Sequence, residues 1–169
     1  ELPFMRQHDY AEAVSILREV VDNLEGYTGV LYGQFMLTAE GPKVVEFNAR
    51  FGDPEAMNTL PVMETSLLDV MVAAREGESL PDLEFAPQAT VCKYAVPDGY
   101  PENPVSGTKL DIDSSAVGDA LLYYASVEER EDGIYTTTSR SFAVVGVEDS
   151  IAEAEAVVED LSDLFRYAL

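Results

Sequence analysis

Residues 29–55 read GVLYGQFMLTAEGPKVVEFNARFGDPE, and the first half of the fold turns on how they are parsed. Gly29–Thr38 and Lys43–Asn48 are apolar-rich runs of strand length, and Ala39-Glu40-Gly41-Pro42 between them has turn chemistry. The segment therefore predicts two antiparallel strands joined as a hairpin. Side chains two apart on a strand share a face, so Glu46 and Asn48 point one way while Val45 and Phe47 point the other. A carboxylate and an amide oxygen then stand side by side on a rigid element. Hard divalent cations take a few protein oxygens and complete their shell with water or phosphate, which suits a site with two such ligands. Arg50, just past the strand end, adds a guanidinium, and a cation and an arginine converging on phosphoryl oxygens are what phosphoryl transfer needs. A plainer reading fits the same residues: a solvated sheet face on which Arg50 is the salt-bridge partner of Glu46 beside Asn48, with Gly52-Asp53-Pro54 a turn and a helix cap. The residues by themselves name no substrate.

Upstream, Asp9–Glu25 places Val14, Leu17, Val20, Val21 and Leu24 on one helical stripe, and Asp9 with Glu12 has capping-box spacing. Downstream, Asp53-Pro54 reads as a helix start with proline at the first helical position. A second helix is expected from Ser66 to Glu76, ended by Gly77. From Glu78 to Gln88 no clean period survives between Pro81 and Pro87, and a domain boundary is expected there, dividing the chain into 1–86 and 87–169. The second part reads as strands at Ala89–Val96, Thr108–Ile112, Leu121–Glu128 and Ile134–Val147. A final amphipathic helix follows, opened by a Ser150/Glu153 capping box and carrying Ile151, Ala154, Val157, Val158, Leu161 and Leu164. The expected class is α+β: a hairpin with helices, then a small β-rich domain with a C-terminal helix.

The 169 residues carry 32 acidic and 10 Lys or Arg side chains, a formal charge of −22. Both nucleic-acid phosphates and anionic lipid would repel such a chain, so neither is an expected partner. The acids recur along the chain, and lysine is reduced to Lys43, Lys93 and Lys109. At molar salt the Debye length falls to about 3 Å and this self-repulsion largely vanishes, so a salt-loving host is expected. No apolar run approaches the roughly 20 residues of a membrane span, and a soluble, cytoplasmic protein is the expectation. Cys92, the one cysteine, can form no internal disulfide and alternates with Val91 and Lys93 as a packing residue would. His8 reads as a surface residue ahead of a helix, and Tyr123 and Tyr124 as core or domain contacts.

At GVLYGQFMLTAEGPKVVEFNARFGDPEA the chain closely resembles the C-terminal part of the ATP-grasp domain of the phosphoribosylamine–glycine ligase family, the glycinamide ribonucleotide synthetases of purine biosynthesis. The resemblance continues through Ala89-Thr-Val-Cys-Lys-Tyr, Pro97-Asp-Gly-Tyr-Pro, Tyr124-Ala-Ser-Val-Glu and Thr138-Ser-Arg140, in an archaeal-looking form. It implies the distal half of an ATP-grasp domain followed by the family's small C-terminal domain. It also implies C–N ligation: ATP phosphorylates the glycine carboxylate, and the amine of 5-phosphoribosylamine attacks the acyl phosphate. Under the resemblance Glu46 and Asn48 match the Mg²⁺ or Mn²⁺ ligands that bridge the ATP phosphates. Arg50 matches the arginine stabilising the transferring phosphoryl group, with Asp53 a second catalytic candidate. Gly52, Asp53 and Glu55 match the loop facing glycine or phosphoribosylamine.

Two departures from the family pattern stand out. Gln34, twelve residues before Glu46, occupies a place where many ATP-grasp enzymes carry an acidic metal ligand. An amide oxygen can still ligate, but with less charge, so Gln34 is placed among the cofactor-binding candidates and not among the metal ligands. Met36 shares its face and is a candidate to lie under the adenine, with a core role as the alternative, and Arg140 is a candidate to reach the nucleotide from the C-terminal domain, with an exposed basic residue among acids as the alternative. Complete members are also much longer and include the half of the ATP-grasp domain with the adenine hinge and phosphate-gripping lysine. The chain is thus expected to be a fragment, inactive alone, with that N-terminal part as its partner. The FGDPE continuation after EFNAR speaks against a biotin carboxylase-like ATP-grasp ligase. A non-catalytic acidic module that binds cations diffusely is the rival from another class.

Overall fold

A computed structural model describes residues 5–112 and 117–165. The chain divides into two compact units, 1–56 with 65–83 and 57–64 with 84–169. The class is α+β, with antiparallel sheets and four α-helices among the described residues.

The first unit begins with helix α1 (Gln7–Asp22). Asp9 is not its cap. The helix starts two residues earlier, Arg6 occupies the N-cap position without a side-chain cap bond, and Asp9 lies buried inside the first turn. There the Arg6 guanidinium grips the Asp9 carboxylate in two bonds of 2.7 and 3.0 Å and holds its pKa below the usual range. The carboxylate thus serves an ion pair instead of a free backbone N–H. The stripe is also offset from expectation: Ala13 is buried, whereas Val21 and Leu24 are exposed.

Strands β1 (Tyr32–Thr38) and β2 (Gly41–Asn48) form the expected hairpin. Its turn is shorter than expected, with only Ala39 and Glu40 outside the ladder and Gly41 and Pro42 already in β2. Gly41 has φ +95°, which a side chain would disfavour, and Thr38 Oγ1 donates to Gly41 O while accepting from Glu40 N. The register passes from Gln34↔Glu46 to Phe35↔Val44, which leaves Val45 as an extra residue, a β-bulge. Helix α1 lies on the face of Gly33, where a Cβ would come within 2.8 Å of Leu17 Cδ2. Tyr32, Gln34, Glu46 and Asn48 occupy the opposite face.

Pro54 is not a helical residue: a single turn, α2 (Glu55–Thr59), starts after it. Helix α3 (Leu67–Glu76) has the expected bounds. Ser66 Oγ accepts from Asp69 N at its start, and Gly77 ends it at φ +72°.

In the second unit, residues 57–64 run with 84–86: Glu64 N donates to Glu84 O, Ala86 N to Val62 O, and Thr90 Oγ1 reaches Asn58 O. Strand β3 (Ala89–Ala95) follows, then the two-residue β4 (Lys109–Leu110). Two expected strands are each broken. Leu121–Glu128 becomes β5 (Leu121–Tyr124) and β6 (Val127–Arg130), and Ile134–Val147 becomes β7 (Gly133–Thr136) and β8 (Phe142–Glu148). Together they are one long hairpin with a corner, at which Ala125 and Ser126 face the longer stretch Thr137–Ser141. Ala125 N and Ser126 N donate to Ser141 O and Arg140 O, and the Ser126 and Thr137 hydroxyls meet at 2.7 Å. The inner halves join the sheet β3-β8-β5, and the outer halves join β4-β7-β6.

Helix α4 (Ile151–Phe165) covers one face of the first of these sheets. The Ser150 hydroxyl accepts from Glu153 N and donates to the Glu153 carboxylate. Ala154 and Val158 are fully buried, and Val158 packs with Phe142 and Val144, while Ile151, expected on the stripe, is exposed. The side chains of Leu161 and Leu164 lie outside the described residues. Gly146 is required by this packing, because a Cβ there would collide with the Ala154 backbone. Cys92 is half-buried opposite Val145, and Tyr123 and Tyr124 are exposed rather than core.

Candidate active site

Alternation along β2 puts Glu46 and Asn48 on the hairpin face that α1 leaves uncovered. Asn48 Nδ2 donates to Glu46 Oε1 at 2.7 Å, so the two side chains are in contact as the two-residue spacing requires. This bond uses the amide nitrogen and one carboxylate oxygen, and it leaves Asn48 Oδ1 and Glu46 Oε2 as a pair of oxygen donors. No group of three or more acidic, His or Cys side chains able to hold a metal occurs among the described residues. The pair therefore fits a hard cation only if water or a phosphate supplies the other ligands. Gln34 stands directly opposite Glu46 in the register and is exposed, and Met36 is 60% exposed rather than core.

Arg50 does not form the surface ion pair that would have given it a plain explanation. Its Nη1 donates to the carbonyl of Phe51 at 2.8 Å, curling the guanidinium over the start of the loop. Asp53 is exposed in the turn before α2, and the Asp53–Pro54 peptide is cis. Gly52 is buried. A Cβ at Gly52 would lie 2.5 Å from Glu55 Oε2 and 2.8 Å from two ring carbons of Tyr32, so only glycine fits.

Tyr32 is the residue that sequence reasoning missed. It stands opposite Asn48 in the register, and its hydroxyl donates to Glu55 Oε1 at 2.8 Å. Burial, the Glu55 hydrogen bond and the charges of Glu55 and Glu46 push its pKa up to about 12, while Arg50 pulls the other way. Tyr32 thus lies in the field of Glu55, Glu46 and Arg50, three of the candidate residues of the first unit. A usable signal was present: Tyr32 lies two residues before Gln34 and so shares its face.

Arg140 belongs to the second unit, at the corner of the long hairpin, with its guanidinium 4.6 Å over the Tyr94 ring. His8 is exposed near the start of α1.

Comparison with known proteins gives these residues a context. The family model for phosphoribosylglycinamide synthetase, ATP-grasp (A) domain, matches residues 1–56, and that for the C domain of the same synthetase matches residues 90–167. A phosphoribosylamine–glycine ligase of Methanosarcina barkeri is 51% identical over 166 residues, covering 94% of this chain and 38% of the relative. One of Methanocaldococcus jannaschii is 50% identical over 173 residues, covering 98% and 39%. The chain thus spans well under half the length of these relatives. The crystal structure of phosphoribosylamine–glycine ligase from Thermotoga maritima superposes with a TM-score of 0.77 at 22% identity, covering 95% of this chain and 41% of that one, and so shares the fold. These matches do not favour a biotin carboxylase-like alternative. With both of its domain models matched in order along the sequence, the chain belongs to the phosphoribosylglycinamide synthetase family.

Proposed function

We propose that this chain supplies the metal-and-phosphate end of the ATP site of a phosphoribosylamine–glycine ligase, with the change from ATP-grasp to C-terminal domain near residue 86. The observation that carries this reading is the touching Glu46–Asn48 pair on a strand that runs into Arg50 and the glycine-dependent loop Gly52–Glu55.

In the proposed reaction a glycine carboxylate oxygen attacks the γ-phosphorus of ATP, the β–γ bridging bond breaks, and glycyl phosphate and ADP result. The amine of 5-phosphoribosylamine then attacks the acyl carbon, loses a proton, and expels phosphate to leave the amide glycinamide ribonucleotide. Glu46 and Asn48 would hold Mg²⁺ or Mn²⁺ through one carboxylate and one amide oxygen. Bound there, such an ion draws charge from the phosphate oxygens. Arg50, at the strand end, stabilises the negative charge of the transferring group. Gly52 and Glu55 line the path of the amine and carboxylate substrates, with Asp53 exposed beside them. Gln34, Met36 and Arg140 are proposed nucleotide contacts.

The density of acidic side chains supports a salt-loving parent, whose melting temperature should rise with KCl as screening relieves self-repulsion, and a cytoplasmic location is proposed with the purine-pathway role. No described helix is long and apolar enough to cross a membrane.

The test is substrate dependence in a polypeptide of the relatives' full length that includes this sequence. Steady ADP release should require both glycine and phosphoribosylamine. ADP release driven by bicarbonate, or by neither substrate, would contradict the assignment.

A further inference from the structure

Tyr32 takes no part in the chemistry just proposed, yet it connects the parts that do. Its backbone pairs with Asn48, its hydroxyl donates to Glu55 Oε1 across 23 residues of chain, and its ring fills the space that a side chain at position 52 would need. The hydrogen bond and the ring contact meet on the two ends of one short loop. Glu55 is exposed in a helix of a single turn, an element with little rigidity of its own. A phenol is a stiff spacer with few rotamers, so its two contacts set a distance as well as an attachment.

We propose that Tyr32 is a positioning residue, a strut that holds the Gly52–Glu55 loop at a fixed distance from the Glu46–Asn48 pair so that the substrate-facing loop is registered against the phosphate end of the site. This deepens the reading of the preceding subsection and rests on it. Ring and hydroxyl have separable duties: the ring excludes a side chain at position 52, and the hydroxyl fixes the Glu55 carboxylate. Removing the hydroxyl alone takes that one hydrogen bond from the Glu55 carboxylate and leaves the ladder of the hairpin in place.

The experiment uses Tyr32→Phe in a full-length polypeptide containing this sequence. The KM for glycine or phosphoribosylamine should rise about tenfold, the scale of one hydrogen bond to a charged group, while that for ATP moves less than about twofold. In a Glu55→Ala background the added Tyr32→Phe change should cost nothing further, because the two residues act as one unit. Amide hydrogen exchange gives a readout independent of turnover. Exchange of the amides of Phe51, Gly52, Asp53, Glu55 and Ala56 should quicken about tenfold in the variant, with β1 and β2 unchanged. Unchanged exchange in the loop, equal acceleration in both strands, or a parallel rise in the KM for ATP would overturn the strut. Were the unaltered polypeptide to turn over no glycine, the functional reading would fall while the exchange comparison still decided the role of Tyr32.

Discussion

Strands β2 and β8 are of nearly equal length and use the same apolar residues to opposite ends. In β8, Phe142, Ala143, Val144 and Val145 are all essentially buried, closed in on one face by α4. In β2, Val44, Val45 and Phe47 are 40%, 54% and 38% exposed, and only Pro42 is buried. Burial of apolar side chains stabilises by roughly 1.5–3 kcal/mol each, so the apolar residues of β8 add far more to stability than those of β2. Apolar content along a strand therefore says little about whether it builds a core or displays a site.

The contrast is broken most severely by truncating its buried member. Phe142→Ala should lower stability by about 3–5 kcal/mol, read as a fall in the denaturant midpoint at unchanged slope. A loss under about 1 kcal/mol would mean that β8 is not the core of the second unit.

A smaller effect is confined to alkaline solution. Tyr32 keeps its proton in the folded protein to about pH 12, against about 10 in an unfolded chain. A raised pKa of this kind adds stability that is complete below about pH 10 and is lost as pH rises through about 12. Tyr32→Phe has no phenol to titrate, so its stability should stay level over that range while that of the unaltered protein falls. Parallel curves up to pH 12 would show that burial and the neighbouring carboxylates do not hold the phenol protonated.

Least of all should change on trimming the exposed side: Phe47→Ala is expected to stay within about 0.5–1 kcal/mol in this chain. A cost like that of Phe142→Ala would erase the distinction between the two strands.

What could be read without coordinates was whatever depends on neighbours in sequence. Ser66 and Gly77 bound α3 because capping is local, and Glu46 and Asn48 share a face because a strand alternates every two residues. The bulge at Val45 was hidden, since it depends on which residue of β1 each residue of β2 meets. Asp9 had the spacing of a cap but was taken by Arg6, a partner that the capping pattern does not include. The corner in the long hairpin arises where Ala125–Ser126 meets the longer Thr137–Ser141, a mismatch invisible in either strand alone. Tyr32 escaped notice for the same reason: its importance comes from Glu55 and Gly52, far along the chain.

The claim on which the functional account stands is that Glu46 and Asn48 hold a divalent cation against a nucleotide's phosphates. Mn²⁺ titration of a full-length polypeptide containing this sequence, in the presence of ADP, tests it directly. One tight site is expected, weakened at least about a hundredfold on Glu46→Ala. Undiminished Mn²⁺ affinity in that variant would contradict it.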